Sequence, residues 1–311
     1  MESAVSLRGL TRDFGELRAV DALTFDVAAG ELFGIVGPDG AGKTTTLRML
    51  AGVLRPTSGD AVIAGASVAG DPEAVKHHIA YMSQRFGLYT DLTVRENIEF
   101  YADLYQVPRG ERAPRLDRLY AFSGLGPFED RLAGQLSGGM KQKLGLCAAL
   151  IHEPDILLLD EPTFGVDPIS RRDLWLIVHE MVARGVTVIV STAYMDEAER
   201  CDRVALLHRG RSVQIDTPDA LRERLAGQVL AVSTDSPRRA RDLLRHHAAV
   251  RQAVLFGEII HVTLRAGTEG WPAVREELTA AGIAVEREDS VEPSLEDVFI
   301  DLVQEREAAD G

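Results

Sequence analysis

Eight residues, Gly37-Pro38-Asp39-Gly40-Ala41-Gly42-Lys43-Thr44, carry the G-x-x-x-x-G-K-[ST] spacing of a phosphate-binding loop. The chemistry is largely that of the backbone. Glycines let main-chain N–H groups turn toward a phosphate with no Cβ in the way, and a helix opening at Lys43 adds unpaired N–H donors and the positive end of its dipole. Lys43 offers a point charge to the β- and γ-phosphates, Thr44 offers a hydroxyl to Mg²⁺, and Thr45 continues the loop. A second pair, Asp160-Glu161, ends the run Ile156-Leu157-Leu158-Leu159. Asp160 is suited to hold Mg²⁺, and Glu161 to orient an attacking water or accept its proton. Taken singly, these are a glycine-rich turn and a solvated strand end. Taken together they point to a nucleoside triphosphate with Mg²⁺.

Such groups need rigid supports. The apolar run at residues 32–36 predicts a strand leading into the loop, and residues 43–51 a helix leaving it. Residues 156–159, after Pro154, read as a central strand of a parallel sheet buried on both faces, which places the two carboxylates at the ligand-binding edge of an α/β sheet. Between them, residues 85–153 read as a helical insert: Thr93-Val94-Arg95-Glu96 is a capping box, followed by Ile98, Tyr101, Ala102 and Tyr105 at helical spacing. Thr217-Pro218-Asp219 opens a short helix and Gly227 is a stop signal, so the first domain is expected to span residues 1–227. Residues 228–304 then follow a β-α-β-β-α-β order, that of a ferredoxin-like α+β unit, and close on a helix at 294–303. Residues 305–311 are expected to be a disordered tail.

Composition narrows the classes. The 311 residues are 45% hydrophobic and 26% charged, which suits two globular domains. A formal charge of −14 argues against a general nucleic-acid surface. No apolar run approaches the ~18 residues of a membrane-spanning helix, and the N-terminus has no apolar signal segment. Cys147 and Cys201 are too few and too distant for a disulfide framework or a metal knuckle; they are expected to pack as small apolar residues in a reducing compartment.

Leu136-Ser137-Gly138-Gly139-Met140-Lys141-Gln142 is a second anion-binding turn at a helix start, one more than a single nucleotide needs. It resembles the signature of the ABC-transporter ATPases, usually Leu-Ser-Gly-Gly-Gln, with Met140 in place of the Gln. The resemblance implies a P-loop NTPase core with a mixed sheet and a helical subdomain. ATP and Mg²⁺ would be bound between two ATPase subunits, with Ser137 and Gly139 serving the partner's nucleotide. By the same resemblance Phe14 stacks on adenine, a reading favoured over that of a core Phe at a strand end. Gln84 touches Mg²⁺ and the attacking water and signals to a transmembrane permease. Asp167 belongs to a loop crossing the dimer interface, or is a plain turn before Pro168. The segment Pro293-Ser294-Leu295-Glu296-Asp297-Val298-Phe299 resembles the tail of drug- and polysaccharide-exporter ATPase subunits. A peripheral subunit on the cytoplasmic face of the membrane is therefore implied.

One position departs from the pattern. Ser191-Thr192-Ala193-Tyr194-Met195-Asp196-Glu197-Ala198 carries Ala193 where the family usually has a switch histidine. An alanine has no donor for the γ-phosphate. The expectation is a site that binds ATP and hydrolyses it poorly, paired with a second, non-identical ATPase. Two alternatives stand beside it: a non-hydrolysing ATP-gated scaffold, and a non-transport ABC ATPase, though the chain has neither a long coiled-coil insertion nor a second such core.

Overall fold

Leu32–Val36 and Ile156–Asp160 are buried at every position, as strands covered on both faces must be. In the computed structural model, which describes residues 3–84, 87–225, 229–265 and 270–310, they lie in a six-stranded sheet. Its order is Arg211–Asp216, Arg203–His208, Leu32–Val36, Thr187–Thr192, Ile156–Asp160, Ile79–Met82. From Arg203–His208 to Ile79–Met82 every pairing is parallel, so the carboxyl ends of these strands share one edge. The register sets Val36 beside Thr192 and Asp160 beside Ser191. A second sheet, ordered Leu17–Ala28, Ser3–Phe14, Ser58–Ile63, Ala66–Ser67, is antiparallel throughout.

The helix Lys43–Leu50 lies in the core with these sheets, with Leu47, Met49 and Leu50 fully buried among Leu7, Phe33, Ile35, Leu158 and Ile189. Each such burial stabilises by about 1.5–3 kcal/mol, which anchors the loop before it. The expected insert is helical: Val94–Leu104, Arg109–Ser123 and Gly138–Leu150, the first opened by the Thr93/Glu96 capping box. Cys147 and Cys201 are both buried, and burial pushes their thiols up to about 12, so they stay protonated and inert.

The chain divides into two units, Met1–Ile215 and Asp216–Gly311. The boundary expected at Gly227 lies outside the described residues, and the division comes earlier. The helix Pro218–Glu223, capped by Thr217, belongs to the second unit, where Arg224 meets Glu305 at 3.5 Å. That unit has strands Val229–Thr234, Val250–Phe256, Ile259–Leu264 and Val285–Ser290 in the antiparallel order second, third, first, fourth. With helices Pro237–Leu244 and Trp271–Ala280 inserted after the first and third strands, this is the ferredoxin-like order expected. Val232, Leu244, Val262, Val274 and Leu278 form its core. The expected disordered tail is corrected: the last helix runs Leu295–Asp310. Asp301 and Glu305, one turn apart, both pair with Arg251 and hold the helix past residue 304.

Candidate functional site

The phosphate loop folds as its glycines require. Gly42, the residue before the helix, has φ 100°, and a Cβ there would lie 2.5 Å from the Ala19 carbonyl oxygen. No side chain caps this helix, so its first N–H groups face the cleft. Gly210 N–H donates to the Ala41 carbonyl at 3.1 Å and pins the loop from the neighbouring hairpin. Lys43 is 4% exposed. Its ammonium donates to the carbonyls of Gly37 at 2.8 Å and Pro38 at 3.1 Å and lies 3.2 Å from Glu161 Oε1.

Asp160 is buried at the end of its strand and collects hydrogen bonds from three others. Thr44 Oγ1 donates to its Oδ1 at 2.9 Å, Ser191 Oγ to the same oxygen at 2.8 Å, and Tyr81 OH to Oδ2 at 3.2 Å. Burial, and then the Asp160 charge, push the Tyr81 phenol up to about 12, so it remains a donor at neutral pH. Glu161 follows with φ 48°, a left-handed conformation unusual for a side-chain-bearing residue and costly without support. Its N–H is held by Ser191 Oγ at 3.0 Å, and Gln84 Nε2 donates to Glu161 Oε2 at 3.0 Å.

Around these groups lies a cleft of about 820 Å³. Phe14, Asp39, Gly40, Ala41, Gly42, Lys43, Thr44, Thr45, Gln84 and Glu161 all line it, from segments far apart in sequence. Gly37 and Pro38 stand behind Lys43. Phe14 is 45% exposed, so it is not a core residue, and the Arg12 guanidinium covers it 4.6 Å from the ring centre. Ser137 and Gly139 are placed elsewhere. Ser137 caps Gly138–Leu150 by accepting from Met140 N–H at 3.3 Å and is exposed. A Cβ at Gly139 would come within 2.1 Å of Ser170 Oγ, so this turn packs tightly on the start of Pro168–Ala183. Asp167 caps that helix, accepting from Ile169 and Ser170 N–H groups, and hydrogen bonding at Ser170 holds its carboxyl below the usual range. Ala193 is exposed and borders a smaller cavity of about 240 Å³ beside Glu161, Asp39 and Tyr194.

Sequence reasoning missed Ser191, Tyr81, Phe164 and Arg209, all at or beside the cleft. Ser191 and Tyr81 were detectable only through the pairing of their strands with Ile156–Asp160.

The ABC transporter family model matches residues 20–164, and the C-terminal domain of the DrrA1-3-like ATP-binding proteins matches residues 217–303. A Rhizobium sp. (strain N33) relative, "Nod factor export ATP-binding protein I", is 36% identical over 302 residues, covering 96% of each chain. This chain belongs to the ABC transporter ATP-binding family. The Escherichia coli (strain K12) "Probable multidrug ABC transporter ATP-binding protein YbhF" is 42% identical over 304 residues; that is 97% of this chain but 52% of the relative, so the chain spans about half its length. Among solved structures, a dimeric ATP-binding cassette in a post-hydrolysis state bound to ADP and Pi matches with a TM-score of 0.62 at 26% identity, over 68% of this chain and 98% of that one. The ABC ATPase fold follows, that of a nucleotide-binding domain.

Proposed function

We propose that this ABC ATPase powers export by separate transmembrane permease subunits, at the cytoplasmic face of the membrane. ATP would close a dimer of ATPase subunits and hydrolysis would reopen it. The relatives named for Nod factor export and multidrug transport support export. Among the described residues no helix is long and apolar enough to cross a membrane, and the reading gives the crossing to the permease.

In this reading Phe14 stacks on adenine and the 37–45 loop cradles the phosphates. The exposed Ser137 and buried Gly139, outside the chain's own cleft, would serve a partner's ATP. Thr44, Asp160 and Gln84 would hold Mg²⁺. Their hydroxyl, carboxylate and amide oxygens are hard donors that suit it, and it would neutralise charge on the β- and γ-phosphates. Glu161 would accept the proton of the water attacking the γ-phosphate, once nucleotide draws Lys43 away from it.

The observation that carries the finer claim is Ala193. Its methyl group borders the cavity beside Glu161 and offers no hydrogen-bond donor there. One missing transition-state donor costs roughly 10²–10³ in rate. The chain's own site would therefore bind ATP and turn it over slowly, while its signature could complete a competent site on a second, non-identical ATPase. The same observation favours the alternative of a non-hydrolysing, ATP-gated scaffold. Ala193→His separates the two: the purified chain should show weak ATPase activity that rises at least about tenfold in the variant. Robust wild-type turnover unchanged by Ala193→His would contradict the impaired-site reading. A weak rate that the histidine fails to raise would favour the scaffold.

A further inference from the structure

We infer that Ser191 is a positioning residue that couples the Mg²⁺ side of the site to the acid–base side. The inference rests on the proposed reading of the cleft as a Mg²⁺–nucleotide site. Ser191 is fully buried, and parallel pairing sets it beside Asp160. Its single hydroxyl is used in both directions. The proton is donated to Asp160 Oδ1 at 2.8 Å, and a lone pair accepts Glu161 N–H at 3.0 Å. One side chain thus fixes the carboxylate proposed for the metal and, together with the Ser191 main-chain carbonyl, which takes the same Glu161 N–H at 3.2 Å, the backbone of the carboxylate proposed for water. That backbone has φ 48°, so it needs a hold that its own conformational preference does not provide.

The other groups on Asp160 cannot substitute. Thr44, which shares Oδ1 at 2.9 Å, is itself a metal donor in the proposed site and so would be drawn to the cation. Tyr81 reaches only the other oxygen, at 3.2 Å. Ser191 touches neither nucleotide nor metal in this arrangement and acts only through Asp160 and Glu161. Loss of such an outer hydrogen bond to a metal-ligating group weakens metal affinity by about ten- to a hundredfold.

The test is a Mg²⁺ titration of the full-length chain with a fluorescent ATP analogue, for wild type, Ser191→Ala and Ser191→Thr, with thermal melting recorded for each. The expected result is a half-saturating Mg²⁺ concentration about tenfold higher in Ser191→Ala. Affinity for the analogue without Mg²⁺ should be little changed, and Ser191→Thr, which keeps the hydroxyl, should lie close to wild type. A Ser191→Ala titration superimposable on wild type would overturn the inference. So would equal weakening with and without Mg²⁺, since a merely structural role predicts that. Should Ser191→Ala fail to fold, Ser191→Cys keeps the volume with a poorer hydrogen bond and is read by the same criteria. Lys43→Ala in this assay separates the two levels of the argument. Retained analogue binding would remove the nucleotide-site reading itself; lost binding alongside an unshifted Ser191→Ala would remove only the role of Ser191.

Discussion

Phe14 shows what a residue's surroundings add to its type. In sequence it could have been a core ring at a strand end; in the fold its ring is half exposed at the cleft, with Arg12 over it. A ring held by a cation on one side and open to a ligand on the other suits base stacking, worth about 1–3 kcal/mol per base. Phe14→Ala should therefore weaken ATP binding by roughly 5- to 150-fold, and weaken GTP by a similar factor, because every base has a π-face. Isothermal titration with both nucleotides checks this; unchanged ATP affinity would return Phe14 to a packing role. The phosphate loop was legible because its motif is local. Gln84 and Glu161 were legible as types, but their 3.0 Å hydrogen bond joins residues 77 positions apart. The bonds of Ser191 and Tyr81 to Asp160 were not legible, since a serine and a tyrosine inside strands carry no mark of the strand beside them.

At the scale of elements, strands and helices with a strong period or a cap were readable, and their ends were less so. Val94–Leu104 opens at the Thr93/Glu96 capping box expected, whereas the last helix overruns its expected end at 303 to reach Asp310. Local sequence around Glu305 is charged and reads as solvated. What holds it is Arg251, fifty-four residues earlier and on the strand Val250–Phe256. The start of the same helix depends on Asp297, which is fully buried. Burial opposes its charge, but His261 at 3.0 Å and the Ser294 hydroxyl and N–H at 2.7 and 2.9 Å outweigh it and hold the carboxyl below the usual range. A lowered folded-state value means the stabilisation is complete above the ordinary carboxylate range and is lost as pH falls through the lowered value. Asp297→Asn should cost about 1–3 kcal/mol at neutral pH, with the gap to wild type closing in acid. Urea unfolding followed across that range measures it; a gap independent of pH would show that the charge is not the stabilising feature.

For the whole molecule, the two-unit division and the ferredoxin-like order were readable from the alternation of elements, but the boundary was not. Asp216 to Leu225 look like the end of the first domain because a capped helix followed by glycine is a stop signal. They belong to the second unit instead, where Arg224 also pairs with Glu305. The central claim concerns the first unit: that its cleft takes ATP through charge on Lys43, while Glu161 acts on water. The two side chains are 3.2 Å apart, so one pair of variants separates their roles. The most direct measurement is equilibrium binding of Mg²⁺–ATP to the full-length wild type, Lys43→Ala and Glu161→Gln, with folding checked by circular dichroism. Binding should vanish in Lys43→Ala and be retained or strengthened in Glu161→Gln, where the competing carboxylate charge on Lys43 is gone. Equal loss in both folded variants, or undiminished binding in Lys43→Ala, would contradict the account.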